Sequence, residues 1–227
     1  MNKLTLSIVL AAMAVAPLAA QEESALEGLV KVQGARLDAA YLMPGVDFRS
    51  YTKVMLDPTE VAFRRNWQRN YNSGTRTGRI TNSDMTAAAE RVRTGFEEIF
   101  AEAYRRAGYE VVTQPGPDVL RLRTGVFDLF VNAPDQMTAG RSRTYSVEAG
   151  EATLVLEARD SETRALLGRA FDRRTAGDNT VGMRTSVSNQ ADFEQLFHQW
   201  AQLSVRSMEE LKARSPITDP ATARQRR

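Results

Sequence analysis

Apolar positions recur along this chain with two periods, and the changes between them outline the fold. From Ser83 onward Met85, Ala88, Ala89, Val92, Phe96, Ile99, Phe100, Ala103 and Ala107 fall three and four residues apart, one stripe of an amphipathic helix. Asn82, Ser83 or Asp84 is placed to cap its start and Gly108 to end it. On its outer face Arg93 with Glu97, and Glu102 with Arg106, are spaced to pair across one turn. A second stripe, Phe193, Leu196, Phe197, Trp200, Ser204, Met208 and Leu211, follows the capping-box pair Asp192 and Gln195.

Between and before these helices the period drops to two. Lys53 to Phe63 reads as a strand that Pro58 marks with an edge, bend or bulge, because proline cannot donate to a central ladder. Tyr109 to Thr113 is a short strand before the Gln114-Pro115-Gly116-Pro117 turn. Val119 to Val131 sets Leu120 and Leu122 against Arg121 and Arg123, then changes phase after Gly125 to Phe127, Leu129 and Val131, the mark of a bulge or bend. Tyr145 to Arg159 and Ala165 to Arg174 form a hairpin around the short polar residues 160–164. In residues 21–52, Val30, Val32, Ala35 and Leu37 hint at a strand broken by Gly34, and residues 41–45 read as a turning chain end. Residues 132–144 and 175–188 read as loops. Strands, helix, antiparallel-looking strands, helix: the order predicts an α+β domain, an antiparallel or mixed sheet with two amphipathic helices packed on one face. The expected organisation is a signal peptide over 1–20, a single domain over 21–214 and a disordered tail over 215–227.

The address comes from the first twenty residues. Lys3 supplies a positive start, Leu4 to Val15 is apolar apart from Thr5 and Ser7, and Pro17 to Ala20 is small before the polar Gln21-Glu22-Glu23. That is the layout of a cleavable export signal, with cleavage expected after Ala20; a retained anchor is the alternative. Periplasmic location is therefore expected, with no transmembrane segment in the mature chain. The chain has no cysteine, so neither a disulfide nor the usual lipid-bearing Cys is expected.

Composition then removes whole classes of chemistry. With 1 His and no Cys there is no thiol chemistry and no zinc site of the multi-His or Cys kind, and no G-x-S-x-G, P-loop or dinucleotide fingerprint occurs. No cofactor is expected. The sequence pI of about 9.0 rests on a net charge of only +2, too little for a polyanion binder on global charge. His198 lies off the second stripe one turn after Glu194, the place of an exposed helix histidine. Asp57 and Glu60 flank Pro58 at a strand end and are the carboxylates from which a hydrolase or transferase could be built; Asp57 satisfying turn amides is the structural reading.

The local charge is more telling. Arg64, Arg65, Trp67, Arg69, Tyr71, Arg76 and Arg79 gather five arginines and two large aromatics in residues 64–82, a stretch without periodicity and without an acid before Asp84. Arginine with Trp or Tyr grips carboxylates, phosphates and partner surfaces, and these types dominate binding hot spots. The expected partner is an envelope protein or an anionic envelope component, not nucleic acid; a lid folded back on the sheet is the competing reading. Arg141 and Arg143 in the next long loop would join this patch if both loops share one end of the sheet.

Several blocks also carry a family resemblance. Residues 43–48 and 51–58, the hairpin positions Ala149 to Ala152, Leu156 to Ser161, Thr163 and Asp172 to Arg174, and the pair Trp200-Ala201 resemble the bacterial envelope proteins grouped as domain of unknown function 3313, over roughly residues 40–212. The resemblance implies an envelope location and an α/β domain and supplies no catalytic residues. Many members resemble lipoproteins, which this Cys-free chain does not. Where a Gly often follows the hairpin Thr, this chain has Arg164, so its turn is expected to close differently.

Overall fold

A computed structural model of the chain describes residues 28–32, 35–74, 79–132, 144–146, 149–177, 182–184 and 186–218. The signal segment, Arg76, Arg141 and Arg143 lie outside the described residues. The elements in chain order are β1 (Val30–Lys31), β2 (Ala39–Leu42), β3 (Lys53–Leu56), β4 (Glu60–Phe63), α1 (Trp67–Gly74), α2 (Asn82–Arg106), β5 (Glu110–Val112), β6 (Val119–Val131), β7 (Thr144–Ser146), β8 (Gly150–Asp160), β9 (Leu166–Ala176), β10 (Gly182–Arg184) and α3 (Ser186–Arg214). Eight strands form one sheet in the order β1-β2-β9-β8-β6-β3-β5, with β4 also on β6; β7 and β10 form a separate ribbon. β3 and β4 run parallel to β6, and β6, β8 and β9 are antiparallel, so the sheet is mixed and open.

The phase of the strands puts Leu120, Leu122, Val126 and Leu154 on one face, where they meet α2 and α3. Phe96 and Phe197 touch edge to face at 5.3 Å across the two helices, and Trp200 is wholly buried behind them. Tyr104, outside the apolar stripe read from sequence, is also buried, because its hydroxyl and that of Ser204 bond at 2.7 Å. Among the described residues no helix is long and apolar enough to cross a membrane.

Several boundaries differ from the sequence expectation. α2 is capped by Thr81, whose Oγ1 accepts from Asp84 N while Asp84 returns a carboxylate oxygen to Thr81 N. Arg93 pairs with Glu90, leaving Glu97 to accept from the Thr59 amide at 2.7 Å. α3 starts at Ser186, before the Asp192 capping box. The first hairpin strand starts at Gly150, and Thr144–Ser146 pairs instead with β10, inside the stretch read as loop. Lys53–Phe63 is two strands, broken around Pro58 as its missing donor requires. Pairing in β6 runs straight through Gly125, where the Phe127 ring occupies the space a side chain would take. The bulge comes later, between Phe127 and Phe130, with Asp128 at φ 54°.

Candidate binding surface

Part of the arginine-rich stretch read as a loop is helical, over Trp67–Gly74. β4 ends at Phe63, Arg64 N donates to Leu129 O, and Asn66 takes φ 62°, a left-handed position that Asn tolerates better than most residues. That turn aims α1 back along the sheet. Trp67 is the fastener: it is 6% exposed, stacked between Phe63 at 5.3 Å and Tyr71 at 5.9 Å, and its Nε1 donates to Val131 O. The chain returning from α1 is tied down as well. Asn72 bonds both Ile80 N and Ile80 O, and Gln68 Nε2 bonds Ile80 O and Asn82 Oδ1.

These contacts divide the seven residues singled out from sequence. Arg64 lies over the Phe130 ring at 4.8 Å and its Nη2 meets Glu151 at 2.6 Å, so it braces β4 against β8. Glu151 is held below its usual carboxylate range first by Arg173 and then by Arg64. Trp67 is buried and Tyr71 half-buried, both against protein. Arg65, Arg69 and Arg79 are exposed, and among the described residues none has an ion-pair partner. The structure brings Arg79 beside α1, since neighbouring Ile80 is bonded to Gln68 and Asn72. The surface is thus a rigid, partly aromatic base carrying three guanidinium groups that no carboxylate among the described residues compensates.

The carboxylate pair is differently employed. Both Asp57 oxygens accept from Arg121 Nε at 2.9 Å, and Arg123 Nε lies 3.7 Å away. Glu60 is exposed and meets Arg123 at 3.3 Å. Asp57 therefore anchors an arginine, not turn amides. His198 is exposed on α3, and Gln190, not His198, bonds Glu194. Among the described residues no group of three or more His, Asp or Glu is arranged to hold a metal ion.

A second feature has no counterpart in the sequence expectations. Beneath the C-terminal half of α3 lies an apolar cleft of about 100 Å³, open to solvent on one side. Its sheet wall includes the small residues Ala40, Ala158, Gly168 and Ala170, neighbours across β2, β9 and β8, beside Leu42, Leu120, Leu122 and Leu156. Its signal in the chain is small residues at alternate positions, but only the cross-strand register shows that they meet.

The family blocks prove to be joints of the fold. Trp200 Nε1 donates to Asp172 Oδ2 at 2.8 Å, and Arg174 Nε meets the same oxygen at 2.6 Å, so the end of the hairpin is fastened to α3. Tyr51 donates to Asp160 at 3.0 Å, joining the segment before β3 to the hairpin turn. Arg164 closes that turn at φ 62°, the left-handed conformation that a Gly adopts freely.

Comparison with solved structures finds distant similarities. The PelC dodecamer from Paraburkholderia phytofirmans is similar at 14% identity, covering 72% of this chain and 94% of that one, with a TM-score of 0.36. A putative neuraminyllactose-binding hemagglutinin homolog from Helicobacter pylori is similar at 11% identity, over 76% and 95% of the two chains, with a TM-score of 0.37. No curated protein matches by sequence. Residues 20–204 match the model of a family described as protein of unknown function, DUF3313, and the chain belongs to that family.

Proposed function

We propose that this protein is an exported, non-catalytic binding domain of the periplasm that docks an acidic envelope partner through the guanidinium groups of Arg65, Arg69 and Arg79. The carrying observation is their exposure, among the described residues without carboxylate partners, on and beside a helix that Trp67 and Asn72 hold in place. Preorganised arginines lose less conformational freedom on binding than arginines on a free loop. The export signal read in residues 1–20 supports the location. A carboxylate-based hydrolase finds less support, since Asp57 is saturated by Arg121.

The test uses a photo-crosslinking amino acid in place of exposed Arg69, in intact cells. One dominant protein adduct is expected, and it should disappear when Arg65 and Arg79 are also replaced by alanine in a protein that still melts normally. Adducts unchanged by those replacements would overturn the proposal.

A further inference from the structure

The cleft under α3 has no part in the surface just described. Among the larger apolar residues that line it, small ones stand on both sides: Ala158, Gly168 and Ala170 on the sheet, and Ser204 and Ser207 on the helix. Where a sheet and a helix pack, larger side chains normally fill the layer between them, and few voids larger than a water remain. Here the layer stays hollow, with apolar walls. Its inner polar feature is already satisfied, since the hydroxyls of Tyr104 and Ser204 bond to each other. The apolar inner walls offer water few partners, so an apolar group gains by displacing it.

The mouth has a different character. Arg36, from the segment before β2, meets Glu210 on α3 at 3.4 Å, and Arg214 stands at the end of the same helix. Both side chains of the Arg36–Glu210 pair are well exposed, at 60% and 46%, so the pair is weak and its arginine is easily recruited elsewhere. Two arginines against one glutamate leave the rim with one positive charge in excess.

From an apolar slot about 100 Å³ in volume under a cationic rim, we propose that the cleft binds a single-chain amphiphile with an anionic head, its chain end among the alanines and its head at Arg36 and Arg214. The slot takes the last few carbons of one chain, and the open side carries the remainder outward. A two-chain phospholipid would have to leave a membrane and leave its second chain in water, so the committed ligand is a free monoacyl acid. Its head would replace Glu210 as the partner of Arg36.

Titration of the purified full-length mature protein with the fluorescent fatty acid cis-parinarate, followed by displacement with decanoate or decanol, tests this. Saturable binding at one site is expected. Ala170→Leu, which fills the slot, should weaken it about tenfold or more while melting is unchanged. The double variant Arg36→Gln/Arg214→Gln should weaken decanoate by several-fold and leave decanol as it was, and it covers the case in which Ala170→Leu does not fold. No saturable binding to the native protein, full binding by a folded Ala170→Leu variant, or equal loss of decanoate and decanol in the double variant would each overturn the proposal. So would capture by phosphatidylglycerol vesicles without any decanoate binding.

Discussion

Arg164 shows what one residue's backbone can reveal. It closes the β8–β9 turn at φ 62°, where a Cβ-bearing residue is strained by about 1 kcal/mol or more. Its backbone contacts survive any side chain: its N–H reaches Asp160 O, and its carbonyl accepts from Arg159. Replacing it with glycine relieves the strain but loosens the unfolded chain, and the first effect is the larger at a left-handed position. Arg164→Gly is therefore expected to raise stability by about 0.5–1 kcal/mol, read as a melting point higher by a few degrees. A lower melting point would mean that the arginine side chain stabilises the turn by more than the strain. The Asp172–Trp200 pair makes a related point. The two residues belong to separate blocks of the sequence, but their bond spans 28 positions and joins a strand to a helix. A buried carboxylate beside an indole N–H and a guanidinium is satisfied only when those elements are packed.

At the scale of elements, α1 is the least legible part of the chain. Eight residues hold two turns, too few for a 3.6-residue period to stand out; its Trp67 stacks on Phe63 before it and donates a hydrogen bond to the Val131 carbonyl across from it. A helix this short is not stable alone, so its order depends on docking. Trp67→Ala should then undock α1 while the rest of the domain stays folded. The expected result is faster tryptic cleavage at Arg65, Arg69 and Arg79, with near-normal circular dichroism and a small change in melting. Unchanged cleavage would show that the Asn72 and Gln68 bonds suffice. Helices α2 and α3 are the opposite case: with 25 and 29 residues their stripes are plain in the sequence, and the main difference is where they start, one residue earlier than expected in α2 and well before the Asp192 capping box in α3. Capping residues cluster there, and local bonding decides among several candidates.

Across the whole molecule, the two long helices lie on one face of the sheet, and the other face is roofed by charge. Cross-strand neighbours Arg123, Glu157 and Arg169 form one row and Arg121 and Arg159 another. Glu157 at the centre, its side chain 9% exposed, bonds Arg159 and Arg169. Burial alone would raise its pKa, but the hydrogen bonds from Arg169 and Arg159 hold it below its usual value. Glu151 is lowered by Arg173 and Arg64, and Asp160 by the Thr163 amide. A lowered carboxylate contributes stability that is complete above its unfolded pKa and is lost as pH falls through the folded one. Stability against guanidinium should therefore be flat from neutrality to about pH 5 and fall steeply below about pH 4. Glu157→Gln is expected to lower stability at pH 7 by about 1–3 kcal/mol and to reduce the acid-dependent loss. A Gln variant with the acid profile of the native protein would place that loss on other carboxylates.

Local chemistry alone determines the α+β class, the two amphipathic helices, the hairpin of β8 and β9, and the excess of arginine in residues 64–79. Each follows from side-chain periodicity or composition, which a chain carries in one dimension. Tertiary structure decided which of those arginines are free. Arg64 and Trp67 lie within three residues of Arg65 in the chain, and only packing against Phe130, Glu151 and Val131 turns them into anchors. The cleft is likewise a product of register, since Ala40 is far in sequence from Ala158, Gly168 and Ala170, and the four come side by side only when three strands align.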